Sequence, residues 1–367
     1  MTAKAKVLFL TRGSSSFISG GDVVQLNKTA LELENLGYDV FVTNDLSYVE
    51  TFQPDIVHFS GINLQYNISE VVKKIRKVKS ERKIKLVMST IYVNYERYEL
   101  DIRKSFFVKL IMLVFGYRKL EYFKELVRLR KFKFGNIINF LLKPSNFIYD
   151  EYLTDIDLFL PNSYVEAEKI KSDFNIPESK VSVVTNGCDL TKYNTYDRIP
   201  YKNFVLCVAR IEELKNQVAL VKACKMADLN LILVGSLSYS QKKYYNELFK
   251  HLDDRRIYIG PLSQEELVPY YESCSVHALV SHFETCGLST MEAIHFKKSV
   301  VVSNVGYVRG VFNDIPFYCD PNDIPSISSA LKSAINTKTD NELYEDFINK
   351  TVWSIAAHQT HVAYQGL

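Results

Sequence analysis

Short apolar runs alternate with amphipathic segments along most of the chain. The runs are rich in β-branched residues, which predicts buried strands, and the segments between them repeat apolar residues every third or fourth position, which predicts helices. This alternation is typical of βαβ units and parallel sheets. In the first half, strands are predicted at 6–10, 38–43, 55–60, 84–89, 157–162 and 180–185. In the second half, they are predicted at 204–209, 229–235, 256–260, 275–281, 299–303 and 316–320.

The alternation is interrupted by a polar stretch at 186–203, which we interpret as an interdomain linker. A chain of 367 residues is also too long for one ordinary core. We therefore predict an α/β protein with two Rossmann-like, doubly wound parallel-sheet domains, 1–190 and 191–340, that face a cleft. The helical pattern of 341–367 is expected to pack back toward the first domain. Ligands should bind at the carboxyl ends of the strands.

Composition and charge narrow the classes of function. The hydrophobic content of 47% and the charged content of 24% are typical of a soluble globular protein. The net charge of +3 gives no general basic field for nucleic acid. The six cysteines are scattered and form no C-x-x-C pair, which indicates reduced thiols. The apolar run near the start is too short for a signal peptide, so we expect a cytoplasmic protein.

One stretch, 103–143, departs from the alternation. It carries eleven Lys or Arg residues against two Glu, a net charge of +9, which leaves −6 for the rest of a chain whose total is +3. Nine Phe and Tyr residues are interleaved with these charges. The combination favours contact with an anionic membrane surface, on its inner face. The alternative is an inserted helical hairpin with a solvated basic face. No groove-reading or base-stacking motif accompanies the charge, so we expect no nucleic acid partner.

Two carboxylates and a glycine follow the strand predicted at 275–281. Glu284 lies in the loop, and Glu292 lies in a helical pattern that begins at Leu288. The N–H groups of Gly287, Leu288 and Ser289 would be unpaired at the helix start, where the dipole favours anions. Carboxylates beside an anion site are electrostatically unfavourable unless they face neutral hydroxyl groups. A nucleotide sugar offers phosphate to the helix start and hydroxyl groups to the carboxylates. The alternative is that Glu284 is solvated and Glu292 only decorates the helix.

A second motif places two cations in the same domain. Arg210 ends one predicted strand, and Lys215 lies at the start of the next helix. Both would point at the crevice that holds Gly287. A cation 4 Å from a leaving diphosphate contributes about 4 kcal/mol at an effective dielectric constant of about 20. The alternative is that these side chains are solvated or cap a helix.

The second half resembles the retaining glycosyltransferases of the GT-B fold, the glycogen-synthase-like group of the family 4 type. The resemblance covers about 181–335 and rests on "NGCDLTKY", "VARIEELKNQ", "LILVGS", "YIGPLSQEELVPYYESCSVHALVSHFETCGLSTMEAI" and "VVVSNVGYVRGVF". It implies that Arg210 and Lys215 bind the pyrophosphate, Glu284 the transferred sugar and Glu292 the ribose. The implied donor-binding set also contains Gly235, Cys286 and the amides of Gly287, Leu288 and Ser289.

The first half resembles the same family more loosely. Gly20 and Gly21 lie where the family's glycine-rich loop approaches the donor phosphate and the acceptor, and His58 ends the third strand. Where many members carry a histidine near the reacting sugar, this chain has Ile91 and Tyr92. His58 and Tyr92 are candidates for proton transfer, although the leaving diphosphate can itself accept the acceptor's proton.

The resemblance implies a hexosyltransferase that retains configuration, with a UDP- or GDP-linked sugar as donor and no cofactor. Asp155 and Asp157 form a D-x-D pair, but Asp157 opens an apolar strand in the other domain, so we predict no metal. The expected acceptor is a glycan or a lipid-linked glycan, as in bacterial surface polysaccharide or glycolipid assembly. A nucleotide-sugar epimerase of the same fold and a non-catalytic nucleotide-sugar-binding scaffold remain alternatives.

Overall fold

The computed structural model divides the chain into two compact units. One contains Met1–Thr185 and Ala356–Leu367, and the other contains Asn186–Ile355. Of the tail predicted to pack toward the first domain, residues 356–367 therefore belong to the first unit and residues 341–355 to the second. The structure describes residues 5–11, 21–79, 83–96, 98–102, 106–129, 151–188 and 203–367.

The described part of the first unit contains a sheet of five parallel strands in the order β2-β1-β3-β4-β5. The third strand is buried along its whole length, as expected when helices cover both faces of a parallel sheet. The strands are β1 (Lys6–Leu10), β2 (Asp39–Thr43), β3 (Ile56–Ser60), β4 (Lys85–Ser89) and β5 (Leu158–Leu160). The helices are α1 (Gly21–Asn35), α2 (Tyr48–Phe52), α3 (Gln65–Lys79), α4 (Phe106–Phe115), α5 (Tyr117–Leu129) and α6 (Tyr164–Phe174).

The strand predicted at 180–185 is wrong. This segment forms only an isolated bridge between Phe159 and Val181 at the edge of the sheet. The Ser182 N–H still donates to the Phe159 carbonyl over 3.0 Å. The Val184 N–H likewise donates to the Pro161 carbonyl over 3.0 Å, and the Thr185 N–H donates to the side chain of Gln359 over 2.9 Å. A β-branched run therefore lies beside the sheet without becoming a sixth strand.

The second unit contains six parallel strands in the order β11-β10-β9-β6-β7-β8, and all six strands predicted in this half are confirmed. They are β6 (Phe204–Val208), β7 (Asn230–Val234), β8 (Arg256–Tyr258), β9 (Val276–Leu279), β10 (Ser299–Ser303) and β11 (Phe317–Cys319). The helices are α7 (Gln217–Ala227), α8 (Lys242–His251), α9 (Gln264–Ser273), α10 (Leu288–His295), α11 (Val308–Phe312), α12 (Ile324–Asn336) and α13 (Asn341–Lys350). The last helix, α14 (Trp353–Gln365), belongs to the first unit from Ala356 onward.

Two apolar clusters cover the two faces of the second sheet. Val205 and Cys207 belong to one cluster, whereas Phe204 and Leu206, which alternate with them along β6, belong to the other. Strands that are buried on both faces appear in the sequence as continuous apolar runs. The strands of the second sheet could therefore be predicted well. All six cysteines are free, and only Cys286 is more than marginally exposed.

The segment that departs from the alternation is helical in its described part. A π-helical turn, Tyr98–Ile102, precedes α4, and Gly116 joins α4 to α5 with a φ of +80°. Residues 103–105 and 130–143 of the segment lie outside the described residues. Of the helices in the described ranges, none has both the length and the apolar content needed to cross a bilayer.

Candidate functional site

The order of the second sheet reverses between β6 and β9. From β6 the chain continues to β7 and β8 on one side, and it then returns to β9, β10 and β11 on the other side. The loops that follow β6 and β9 therefore leave neighbouring strand ends in opposite directions. In doubly wound sheets a ligand binds in the crevice at this switch point. The candidate site is built here from residues 209–216 and 280–287.

Hydrogen bonds tie these two loops together. The His282 N–H donates to the Leu214 carbonyl over 2.8 Å. Asn216 is buried, and its side-chain amide donates to the carbonyls of Val280 (3.2 Å) and Pro321 (2.8 Å). Its φ of +58° is in the left-handed region, which Asn tolerates better than most residues. Sequence reasoning missed Asn216, although an Asn before a helical pattern was a usable signal.

Lys215 and Glu284 meet at the switch point. The Lys215 Nζ lies 2.6 Å from Glu284 Oε2, and the two side chains are only 17% and 11% exposed. Ser281 Oγ donates to the same carboxylate oxygen over 3.4 Å, and the Thr285 N–H donates to the other over 3.3 Å. Coulomb attraction is stronger in such partly buried surroundings than at an open surface. The structure thus brings together the predicted cation and the predicted acid.

Two glycines shape the backbone around Glu284. Gly306, after β10, has a φ of +75°, and a Cβ atom on it would lie 2.1 Å from the Glu284 carbonyl oxygen. Only glycine fits there, and the neighbouring Tyr307 N–H donates to the same oxygen over 2.9 Å. Gly287 has a φ of +59° and faces the Glu284 side chain. Sequence reasoning assigned Gly287 but missed Gly306, whose signal was a lone glycine after a buried strand.

The helix predicted to begin at Leu288 is confirmed as α10. Gly287 is its N-cap and offers no side chain to its first turn. The N–H groups of Thr290 and Met291 donate to the Gly287 carbonyl over 2.8 and 3.1 Å. The preceding N–H groups, of Leu288 and Ser289, therefore lie at a helix start, where partial positive charge favours an anion.

Glu292 is fixed inside the second unit. The hydroxyl of the fully buried Tyr271 donates to Glu292 Oε2 over 2.5 Å, and the Gln264 amide donates to Oε1 over 3.4 Å. Burial raises the pKa of the Glu292 carboxyl, although these hydrogen bonds oppose the rise. The alternative that Glu292 only decorates a solvated helix face is therefore wrong. Tyr271 was missed because its partner lies on another helix.

Arg210 and Gly235 lie at the ends of β6 and β7. The Arg210 guanidinium pairs with Glu212 Oε1 over 3.1 Å, whereas Lys215 pairs with Glu284. The Arg210 side chain is half exposed. Gly235 has a φ of +143°, and a Cβ atom on it would lie 2.0 Å from the carbonyl oxygen before Arg210. The close approach of two strand ends therefore requires this glycine.

Cys286 lies between the acid and the helix start, in a half-buried position. The side-chain amide of Asn186 donates to its Sγ atom over 3.0 Å. This contact fixes the thiol within the loop that also carries Glu284.

His58 lies in the core of the first unit. It is 1% exposed, its Nδ1 lies 2.6 Å from the Tyr364 hydroxyl, and its Nε2 lies 2.9 Å from the Ser89 hydroxyl. Burial lowers the pKa of this imidazole to about 3. A buried neutral ring with both nitrogens engaged does not suit proton transfer, which corrects the expectation for His58.

Tyr92 is also buried, after β4. Its hydroxyl donates to Asp173 Oδ2 over 2.7 Å, and its N–H donates to the buried Glu166 carboxylate over 2.8 Å. The preceding Ile91 has a φ of +42°, which is rare for a β-branched residue. The backbone after β4 is thus held firmly, but the Tyr92 hydroxyl is already engaged.

The remaining predicted positions of the first half lie elsewhere. Gly21 is the first residue of α1, and Gly20 lies outside the described residues. Asp155 forms an ion pair with Arg76 over 2.5 Å, and Asp157 accepts a backbone hydrogen bond at the sheet edge. In the described ranges, no three His, Cys, Asp or Glu side chains are grouped so as to hold a metal ion.

Residues 196–352 match the family described as "Glycosyl transferases group 1". The chain carries a domain of this family. The Lys215–Glu284 pair, the start of α10 and Glu292 all lie inside the matched range.

Curated relatives match a similar part of the chain. D-inositol 3-phosphate glycosyltransferase from Mycobacterium sp. (strain KMS) is 29% identical over 171 residues, which cover 42% of this chain and 39% of that protein. The O-antigen chain mannosyltransferase RfbU from Salmonella typhimurium is 25% identical over 47% of this chain and 49% of its own. The matches thus span about two fifths to one half of these relatives.

Solved structures match over nearly the whole chain. Sucrose-phosphate synthase from Thermosynechococcus elongatus has a TM-score of 0.71 at 14% identity and covers 99% of this chain and 98% of its own. Anabaena HepE, solved with UDP and glucose, has a TM-score of 0.68 at 15% identity and covers 99% of this chain and 100% of its own. At this identity the likeness concerns the fold, which is GT-B.

Proposed function

We propose that the protein is a retaining glycosyltransferase that moves a hexose from a nucleoside diphosphate sugar to an acceptor hydroxyl. The observation that carries this proposal is the Lys215–Glu284 ion pair at the switch point of the second sheet. It lies in the matched group 1 domain, next to the uncapped start of α10. A cation, a carboxylate and free amides at one strand edge suit a ligand with both phosphate and hydroxyl groups.

The leaving diphosphate is the group that needs stabilisation. As the bond between the sugar and the diphosphate breaks, negative charge grows on the phosphate oxygen. Lys215 and the amides of Leu288 and Ser289 would receive that charge, and groups fixed before the reaction cost no reorganisation. The Arg210 guanidinium is 51% exposed, although Glu212 is only 8% exposed, so solvent partly screens the pair and Arg210 would exchange Glu212 for phosphate.

The carboxylates would hold the neutral parts of the donor. Glu284 would accept hydrogen bonds from hydroxyls of the transferred sugar, and Glu292 from those of the ribose. Tyr271 orients Glu292 for this role through its 2.5 Å hydrogen bond. With His58 in the core, the diphosphate itself is the proposed proton acceptor, and the proposal requires neither a metal nor a cofactor.

The proposed acceptor is a glycan or a lipid-linked glycan of bacterial surface polysaccharide or glycolipid assembly, reached at the inner face of the membrane through Arg103–Lys143. The names of the relatives, which refer to an inositol phosphate and to O-antigen chains, are compatible with such acceptors. We infer a UDP- or GDP-linked donor, and the complex of HepE with UDP-glucose makes that sugar nucleotide the first to test.

Thermal-shift screening of UDP- and GDP-linked sugars, followed by assays of donor hydrolysis and transfer, tests the proposal. A stabilising donor should be consumed by the unaltered protein and not by Glu284→Gln. Lys250→Met, which alters an ion pair with side chains 72% and 50% exposed, is the matched control and should retain activity. An isomer formed from donor alone would indicate an epimerase. Binding without turnover, with every acceptor tried, would indicate a scaffold.

A further inference from the structure

Helix α4 exposes large apolar side chains on one face. Leu110, Leu113 and Val114 are 47%, 84% and 62% exposed. Positions i, i+3 and i+4 of a helix lie on the same side, so these three form a continuous surface, here called the α4 apolar face. Single exposed apolar residues are ordinary in soluble proteins, but a cluster on one short helix marks a contact surface.

The α4 apolar face is not part of the core of the first unit. Helix α4 packs against α5 and the turn Tyr98–Ile102, and α5 packs against α3. Leu120 and Tyr122 of α5 are 1% and 5% exposed. Helix α5 thus supplies the packed layer, and α4 lies outside it with the apolar face uncovered by described residues.

The charge of the segment is less available than its sequence suggests. Lys119 is only 7% exposed. Lys124 lies 2.6 Å from the Glu99 carboxylate and 2.8 Å from that of Glu121, so it is neutralised within the fold. Lys109 is exposed on α4 itself. Because Lys119 and Lys124 are buried or paired, an electrostatic contact with anionic lipid would be weaker than the sequence suggests. The α4 apolar face would then have to supply the rest of the binding free energy.

We propose that α4 docks on an anionic membrane surface, with Leu110, Leu113 and Val114 in the acyl boundary and Lys109 at the headgroups. A helix of 10 residues is about 15 Å long, half of a hydrocarbon core of about 30 Å, so it lies in the interface and does not span it. The net charge of +9 on the segment attracts anionic lipid and repels a second copy of the same face. This docking rests on the membrane contact that the proposed function places in Arg103–Lys143 and names the helix that makes it.

Vesicle flotation tests the docking with the full chain. The vesicles contain phosphatidylcholine alone or phosphatidylcholine with phosphatidylglycerol. The double substitution Leu113→Ser with Val114→Ser should weaken partition onto anionic vesicles by about 10- to 100-fold, because each buried aliphatic side chain contributes to partition. Circular dichroism and thermal unfolding should stay unchanged, since both side chains are exposed.

The matched control substitutes the same residue types on other helices of the first unit. Leu31→Ser with Val362→Ser alters side chains that are 51% and 53% exposed and should leave partition unchanged. Added salt should weaken the binding of the unaltered protein to anionic vesicles without abolishing it, whereas the α4 variant should lose this salt-resistant binding.

Three results of the vesicle assay would overturn the proposal. They are no binding of the unaltered protein to anionic vesicles at low salt, an equal loss in the control, or unchanged binding of the α4 variant. A dimer that the α4 variant dissociates in light scattering would also overturn it, because a second copy would then be the occupant. These outcomes test the membrane contact proposed for Arg103–Lys143, whereas sugar transfer to a water-soluble acceptor is measured separately.

Discussion

Replacing Lys215 with Met keeps the length of the side chain and removes the cation from Glu284. The carboxylate then keeps only the Ser281 hydroxyl at 3.4 Å and the Thr285 N–H at 3.3 Å. Breaking a fully buried pair costs about 3–5 kcal/mol, and an exposed pair contributes about 0–1 kcal/mol. With side chains 17% and 11% exposed, this pair lies between those limits, so we expect a loss of about 2 kcal/mol.

The same change should slow the reaction. A fixed group that stabilises developing charge typically contributes a factor of about 10²–10³ in kcat. Thermal unfolding followed by circular dichroism measures the first effect, and initial rates with a stabilising donor measure the second. Because the two loops are also joined by the His282–Leu214 and Asn216–Val280 hydrogen bonds, the variant should still fold.

A double-mutant cycle separates the pair from its surroundings. Lys215→Met, Glu284→Gln and the combined variant should give a coupling of about 1–2 kcal/mol, since residues in direct contact are not additive. Lys250→Met alters an exposed pair 2.9 Å long and should change the free energy of unfolding by less than about 0.5 kcal/mol. If Lys215→Met matched this control in both stability and rate, the pair would not organise the site and the reasoning would fail.

Three further predictions concern the surroundings of the site and the core. Tyr271→Phe removes the hydroxyl donated to Glu292, so the KM for the donor should rise several-fold with a small change in kcat, measured by initial rates. Gly306→Ala should unfold the second unit in thermal scans, whereas Gly116→Ala, with a φ of +80° and open space around it, should cost only about 1 kcal/mol. The pKa of His58 falls to about 3 on folding, so its contribution to stability is full above pH ~6.5 and declines as the pH falls toward 3. His58→Gln should therefore flatten the stability profile between about pH 6 and pH 4 in urea unfolding.

Each of these predictions has a result that contradicts it. An unchanged KM in Tyr271→Phe would show that the hydroxyl does not orient Glu292. Equal Tm values for the two glycine variants would contradict the close backbone approach at Gly306. A parallel pH profile for His58→Gln would mean that the imidazole is not the group that protonates on unfolding.

The strands could be predicted because burial on both faces leaves a local mark in the sequence. The run around β6 is apolar throughout, the run around β9 is apolar except for the buried His277, and each became a strand. The run at 180–185 is also rich in β-branched residues, but it forms only an isolated bridge to Phe159, and its Thr185 N–H donates to a side chain of α14. Local composition cannot reveal such a partner, which lies 174 residues further along the chain.

The site was predictable only as far as it depends on strand ends. Lys215 and Glu284 both follow buried strands, so they could be assigned to one sheet edge. That β6 and β9 are neighbours depends on the topology of the whole sheet. Arg210 illustrates the limit of such prediction. It was expected to point into the crevice, but it pairs with Glu212, two positions further along the chain.

Polar residues at strand ends also misled the prediction where their partners are distant. His58 ends a strand, as a site residue would, but its hydrogen bond to Tyr364 spans 306 positions of sequence. The hydroxyl of Tyr364 and the hydroxyl of Ser89 turn a candidate base into a core side chain. Gly306 shows the opposite error, since its role depends on a loop that follows another strand.

The Lys215–Glu284 pair also explains how a carboxylate can lie close to a site that is expected to bind an anion. A carboxylate close to a helix start would repel the phosphate that the helix dipole attracts. Because Lys215 Nζ lies 2.6 Å from Oε2, the charge of Glu284 is balanced before any anion arrives. Its Oε1 atom accepts only a long bond of 3.3 Å from the Thr285 N–H, so it can still accept from a hydroxyl. In the proposed complex, one oxygen would thus be neutralised by the cation that also binds the phosphate, and the other would remain for the sugar, so that the acid and the anion site could share one strand edge.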